Sequence, residues 1–400
     1  MSKLFTFLFS IVVAFGISRA DIYLAKNIYS YSPILLLSSI LSLGVIFSLI
    51  IKGASAKINV FFGFQVLFFL SLGFIGAAQL ASQPLINIGN LNNYILPISY
   101  LLLFVLFYMC FSFKLINFRV VLSITFLVVV ASVFIEAVTP GIFSKTYYRA
   151  SGIAENPNLS AMIVCLSVLM LLNFERFLFK DIVLVSLGSL AILFSASRAG
   201  LLIYFIICIS WAAFMLFRLK GGELIKAVVT FFTAFIVMLF LLSLSMSSPL
   251  FESERTRERV SLSSQGDVLS RDSSRIEVIG AYFEEMDTCL PFPCGIFEYY
   301  GSEMHAHNTS INYAYQYGLP FLFLALLPVF ITLLLPIMYQ RAFYFFDRYR
   351  VYVATFCLFL FSMVNNDIYA QKIVLLILAF YANWINKAFS EKFGENYKVA

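Results

Sequence analysis

"VSLGSLAILFSASRAGLLIYFIICISWAAF", Val185–Phe214, is two apolar runs with a single charge, Arg198, between them. A run of about 20 mainly apolar residues is the length of helix that crosses the hydrocarbon core of a bilayer. With only "SASR" to turn in, the stretch reads as a tight pair of membrane-spanning helices. A charge at such a turn is expensive if it faces hydrocarbon. It either snorkels to the interface along its aliphatic stem or faces a cavity and a partner.

The rest of the chain repeats this pattern. Over 400 residues the sequence is 61% hydrophobic and 12% charged, with a mean hydropathy of +0.92, far from the soluble globular range. Apolar runs fall at approximately 4–24, 33–51, 58–81, 93–113, 119–138, 158–175, 181–197, 199–217, 225–247, 318–339, 351–369 and 371–387. The expected fold class is an all-α polytopic membrane protein of about 12 transmembrane helices with one large outer loop. Residues 1–247 hold the helices before that loop, 248–308 the loop with an amphipathic helix, and 309–400 the remaining helices and a cytoplasmic tail. Leu4–Ile17 behind Lys3 is built like a signal peptide, but "ISRADIYLAKNIYSY" offers no small-x-small cleavage site, so the run is expected to be retained.

Basic residues set the orientation. With the N-terminus inside, Lys52, Lys57, Lys114, Arg119, Arg176, Lys180, Arg218, Lys220, Lys226, Arg341, Arg348 and Arg350 fall in inner connections. The short outer ones hold Arg19, Lys26, Lys145, Arg149, Arg198 and Lys372. The net charge of +6 is largely this bias and gives no argument for nucleic acid. Cys110, Cys165, Cys208 and Cys357 lie in apolar runs, where cysteine serves as a small hydrophobe. Cys289 and Cys294, in "CLPFPC", fall in the outer loop, where a structural disulfide between them would persist.

The loop contains "ESERTRERVSLSSQGDVLSRDSSRIEVIGAYFEEM" (252–286), whose charge-alternating start reads as a solvated surface segment. Asp272, Ser273 or Ser274 can cap a helix there. Ile276, Ile279, Phe283 and Met286 recur at helical spacing, describing an amphipathic helix of about twelve residues with Arg275 in its first turn.

Four outer segments carry groups suited to chemistry: "RASGIAENPNLSA" (149–161), "SASRAGLL" (195–202), "SSRIEVIGAYFEEM" (273–286) and "MHAHNTS" (304–310). Arg198 and Arg275 suit a pyrophosphate, because a guanidinium stays charged and meets phosphate oxygens in pairs. Arg149, Arg255, Arg257, Arg259 and Arg271 are weaker candidates for the same task. In "ENPNLSA", Pro157 restricts the residue before it, and Asn158 can cap the following helix or contact substrate. The chain's two histidines, His305 and His307, admit three readings. They are a metal pair completed by Glu298 or Glu303, plain interfacial residues, or a catalytic pair in which one imidazole accepts a proton at neutral pH beside Asn308.

In that order the motifs resemble those of the O-antigen ligase and polymerase superfamily of bacterial membrane proteins. The resemblance rests on "NPN" before a span, "S-x-S-R-x-x-L-L" at a short hairpin and "S-R" opening an amphipathic helix. "H-x-H-N" followed by "Y-G-L", and "NNDIYAQK" (365–372) before the last span, complete it. It covers the chain from about Arg149 onward. It implies a metal-independent, inverting glycosyltransferase without cofactor, multi-pass in the bacterial inner membrane, with its active site facing the periplasm. The donor would be a glycan on undecaprenyl pyrophosphate. The acceptor would be a sugar hydroxyl of lipid A–core for a ligase, or another lipid-linked glycan for a polymerase. Arg198 and Arg275 would stabilise the leaving pyrophosphate and His307 would act at the acceptor hydroxyl, with His305, Asn308, Asn158 and Arg271 as further substrate contacts. Membrane lipids are the other expected partners. A transporter or flippase is the alternative from another class; it would spread ionisable residues through mid-membrane positions, whereas these gather toward one face.

Overall fold

The computed structural model describes residues 3–27, 32–52, 56–82, 88–144, 149–222, 265–295, 298–299, 302–303, 307–338 and 345–394, with scattered positions from 224 to 236. The chain is predominantly helical. In order come α1 (Lys3–Ile17), α2 (Ala20–Asn27), α3 (Pro33–Lys52), α4 (Val60–Ser82), α5 (Ile88–Ser112), α6 (Phe118–Val138), a 3₁₀ turn (Gly152–Ala154), α7 (Pro157–Leu171), α8 (Phe179–Ser195) and α9 (Arg198–Arg218). Then follow α10 (Gln265–Cys289), α11 (Thr309–Tyr317), α12 (Phe321–Leu324), α13 (Leu327–Met338), α14 (Phe345–Ser362) and α15 (Lys372–Gly394). Between α10 and α11 a two-residue antiparallel ladder pairs β1 (Glu298–Tyr299) with β2 (Ser302–Glu303).

Among the described residues, α3, α4, α6 and α9 are long and apolar enough to cross a membrane. A fifth span results if α1 and α2, bent by 65°, count as one. Leu96–Ser112, Pro157–Leu171 and Lys372–Ile385 are apolar but shorter. The run 4–24 is thus broken at Ser18–Arg19, where Arg19 takes the left-handed conformation (φ 70°). The run 318–339 is divided between α12 and α13, and the runs 158–175 and 351–369 stop as helix at Leu171 and Ser362. Most of 225–247 lies outside the described residues, as does 248–264 from the expected loop.

The amphipathic helix differs from its sequence reading. α10 runs 25 residues rather than about twelve, so Asp272, Ser273 and Ser274 lie inside it and Arg275 is not in its first turn. Serine and aspartate disfavour a helix interior by well under about 1 kcal/mol each, too little to start a new helix where flanking residues continue the old one. The covered face is also rotated: Tyr282 and Met286 are buried, while Phe283 is 47% exposed.

The chain divides into two compact units whose segments interleave in sequence. The first comprises Met1–Pro33, Ile116–Ser264 and Phe345–Cys357, and the second Ile34–Leu115, Gln265–Tyr344 and Leu358–Ala400. In the first, α7 is its most enclosed helix, with Ser160–Met170 all buried against α6, α8 and α9. In the second, α5 packs on α4 and α15. Its aromatic core sets Tyr369 against Phe69 edge-on at 5.3 Å and against Phe68 at 5.7 Å.

Candidate functional site

In the first unit the ends of α6 and α8 and the beginnings of α7 and α9 gather around Asn158. Asn156, not Asn158, caps α7: its backbone is extended (φ −131°, ψ 119°) and its side chain accepts from the Asn158 N–H. Proline explains the exchange. Pro157 holds the preceding residue extended, the conformation a cap requires, and itself fits the first helical position, where no N–H is needed.

Asn158, freed from capping, accepts two hydrogen bonds at Oδ1. One comes from Arg149 Nη2 and one from Ser197 Oγ, both at 2.9 Å. Two donors on one atom fix which end of the amide is oxygen, so its Nδ2 hydrogens remain for a ligand. Arg149 also donates from Nε to the Ser195 carbonyl at 3.0 Å, holding the α8–α9 turn. Ser197 caps α9 by accepting from the Gly200 N–H. Gly200 is required here because a Cβ on it would lie 2.5 Å from the Ala161 Cβ of α7.

Arg198 occupies the first position of α9, exposed and without a side-chain partner among the described residues. A cation gains nothing from the positive end of a helix. Two guanidiniums, two helix N-termini and an amide donor make this end of the unit attractive to an anion.

A buried carboxylate builds the loop that delivers Arg149. Glu136 of α6 is 0% exposed. Its Oε1 accepts from the Ser144 N–H at 2.8 Å and the Ser144 hydroxyl at 2.9 Å. Its Oε2 accepts from the Ser151 and Gly152 N–H groups, each at 2.6 Å, and from the Ser151 hydroxyl at 3.1 Å. Sequence reasoning passed over Glu136; the signal was one acid in an apolar run followed by a Ser- and Gly-containing loop. Lys26 of α2 pairs with Glu155 at the same end.

In the second unit, His307 is exposed and left-handed (φ 49°), immediately before the cap of α11. Such a conformation costs a non-glycine residue about 1–3 kcal/mol and persists where its surroundings hold it. They do so here. Asn308 Oδ1 accepts from the Ser310 and Ile311 N–H groups, and its Nδ2 donates to Met363 Sδ at 3.4 Å. Thr309 Oγ1 donates to the Asn365 carbonyl at 2.9 Å. Asn308 therefore fixes the start of α11.

One turn on, Tyr313 donates to Asp367 Oδ1 at 3.0 Å, and the Tyr369 N–H donates to the same oxygen at 2.8 Å. Asp367 lies beyond the end of α14, in the connection to α15. Desolvation by the surrounding protein pushes its carboxyl above the usual carboxylate range, against the pull of hydrogen bonds from Tyr100, Tyr313 and the two following N–H groups.

α10 rests on α11 through Tyr282 and Met286 against Ala314 and Tyr315. The Cys289–Cys294 disulfide closes the turn after it. That turn is tied to α11 by the Cys294 N–H to the Tyr315 carbonyl at 2.8 Å, and by the Leu319 N–H to the Pro291 carbonyl at 3.2 Å. Arg271 and Arg275 lie on α10, but their side chains are outside the described residues, as are Arg255, Arg257, Arg259 and all of His305. Among the described residues no three His, Cys, Asp or Glu are grouped to hold a metal; Glu298 and Glu303 are register partners in the backbone ladder. No protein-family model and no curated protein matches this chain.

Proposed function

We propose that the chain is an O-antigen ligase: a metal-independent, inverting glycosyltransferase of the bacterial inner membrane, with about 12 spans and its active site toward the periplasm. It would transfer a glycan from undecaprenyl pyrophosphate to a sugar hydroxyl of lipid A–core. The observation that carries the reading is Arg198, at a helix start and without a side-chain partner among the described residues, next in sequence to Ser197, which with Arg149 is bonded to the Asn158 amide. The order of the sequence motifs supplies the rest.

The chemistry is a single displacement. The acceptor oxygen forms a bond to the anomeric carbon as the bond from that carbon to the pyrophosphate oxygen breaks. The hydroxyl proton passes to the His307 imidazole, and the bonding electron pair leaves on the pyrophosphate. The sequence motifs assign that charge to Arg198 and Arg275, electrostatic help of the kind that dominates such reactions. Arg149 and Asn158 hold the donor phosphate, while Asn308 fixes the backbone that carries His307.

The test is a lipopolysaccharide gel from a strain lacking the protein, with analysis of its undecaprenyl-linked glycans. Bare core together with long glycan stranded on the carrier is the expected result. Core capped by one repeat unit would make the protein a polymerase, and an unchanged ladder would overturn glycan transfer to lipid A–core altogether.

A further inference from the structure

Between α8 and α9, in the first unit, lies a groove of about 350 Å³ whose walls are almost wholly apolar. On α8 its lining runs from Ile182 to Leu193, about 16 Å of helix by the usual rise. Of the three hydroxyls on the walls, at Ser186, Ser189 and Tyr204, two are already used. Ser189 Oγ and Tyr204 Oη both donate to the Val185 carbonyl, at 2.9 and 2.6 Å. Tyr204 reaches α8 only because residue 188 is glycine: a Cβ there would stand 2.4 Å from the tyrosine oxygen. Apart from the Ser186 hydroxyl the groove therefore offers little but hydrocarbon. One side of it is open, for the lining residues Phe205 and Ile209 of α9 are 61% and 50% exposed.

Arg198 stands at the head of this groove by helical geometry. The groove face of α9 is Leu201, Tyr204 with Phe205, Cys208 and Trp211, a stripe of three- and four-residue steps. Arg198 is one such step before Leu201. Side chains on a helix lean toward its N-terminus, so the guanidinium extends past the end of the stripe, on the side of the α8–α9 turn, whose Ser195 and Ser197 bond to Arg149 and Asn158. An apolar channel headed by a fixed cation is complementary to one kind of molecule: an anionic phosphate on a long hydrocarbon chain.

We infer that the α8–α9 groove seats the proximal part of the polyprenyl chain of a lipid phosphate whose head group is held at Arg198. The inference rests on the transferase reading for the choice of a polyprenyl over a diacyl chain. It adds to that reading a tail subsite made of named residues. The groove aligns the lipid so that its phosphate arrives at Arg198 in one orientation, and so chain recognition precedes any contact with sugar.

The experiment uses the full-length protein in phosphatidylcholine nanodiscs, photolabelled with a polyprenyl phosphate carrying a benzophenone near its head. Labelled peptides are mapped by mass spectrometry. Labelling should fall on α8 and α9 and drop at least tenfold in Ser189→Trp, which fills the groove, and in Arg198→Ala. Leu127→Trp, which enlarges a 56% exposed side chain on α6, should leave it unchanged. Gel filtration and thermal melting identify any variant that has unfolded, and Ser186→Phe then replaces Ser189→Trp as the groove-filling variant.

Labelling spread evenly over the surface would overturn the groove. Equal labelling by a benzophenone phosphatidic acid would overturn the polyprenyl assignment. A lipopolysaccharide phenotype of the ligase type, with normal transfer by Ser189→Trp, would sink the groove and leave the transferase reading standing. Groove labelling in a protein whose loss leaves lipopolysaccharide unchanged would do the reverse.

Discussion

Tyr313 donates its phenolic hydrogen to Asp367 Oδ1 at 3.0 Å, joining the helix that begins just after His307 to the connection between α14 and α15. Together with the Thr309–Asn365 and Asn308–Met363 contacts, it sets where the left-handed backbone of His307 stands. Tyr313→Phe removes the donor and leaves the carboxylate one hydrogen bond short, a loss of about 1–3 kcal/mol. On the proposed transferase reading glycan transfer should fall with it, through kcat more than KM, because the residue assigned to the acceptor hydroxyl is displaced while the residues assigned to the donor are not. A thermal melt and a transfer assay on the purified variant check both.

Asp367 also predicts a pH dependence. Its carboxyl is shifted upward in the folded protein, so folding takes up its proton more readily than the unfolded chain does. The resulting stabilisation is complete below the ordinary aspartate value of about 3.9 and is lost as pH rises through the raised folded value. Asp367→Asn, which cannot titrate, should flatten that part of the melting-temperature profile. An unchanged slope would assign the pH dependence to another group.

Arg198 makes the opposite kind of prediction. It is exposed and has no side-chain partner among the described residues, so Arg198→Ala should change stability by no more than about 0.5 kcal/mol. Transfer should nevertheless fall by about 10²–10³, the loss typical of removing one donor that stabilises developing negative charge. Arg198→Lys keeps the charge but not the planar fork, and should recover only part of the activity. Full transfer by Arg198→Ala in membranes with normal protein levels would remove Arg198 from the mechanism.

What the sequence made legible follows from the range over which each signal acts. Apolar runs report helices because hydrophobicity acts along one segment, and α3, α4, α6 and α9 fall where the runs lie. Breaks inside runs were not legible. The kink at Arg19 has no proline beside it, whereas the division between α12 and α13 does have one, Pro328 at the second position of α13, which a count of apolar residues passes over. The cap of α7 was readable but misread, since Pro157 marks Asn156 as the extended residue. Asn308 and Arg198 stood out by type, whereas Glu136 matters through Ser144, eight residues on, and Asp367 through Tyr313, 54 residues before it, pairings that no local pattern displays.

The disulfide gives a prediction of stability without chemistry. Cys289 and Cys294 are five residues apart, so their link closes a very short loop, and the chain-entropy relation puts its contribution at about 2 kcal/mol. Cys294→Ser should lower the melting temperature accordingly. It should reduce transfer only modestly, because the Leu319–Pro291 hydrogen bond still ties the turn to the residues after α11. Peptide mapping with and without reductant, followed by a melt, tests this directly.

Glu136 and Asn158 allow a prediction about coupling. Glu136 organises Ser144, Ser151 and Gly152, and the segment between them delivers Arg149 to Asn158. Glu136→Gln turns one oxygen into a donor facing N–H groups, which at a buried site should cost about 3 kcal/mol or more. Asn158→Ala removes the acceptor shared by Arg149 and Ser197. If Glu136 acts on the site by placing Arg149, the two losses in transfer will not add: once Asn158 is gone, Arg149 has already lost its anchor, and Glu136→Gln should reduce transfer further by only a small factor. Two losses that multiply fully would show that Glu136 stabilises the loop without setting the arginine. The cycle has to be measured on transfer rates corrected for folded protein, because residues sharing a network couple in stability as well.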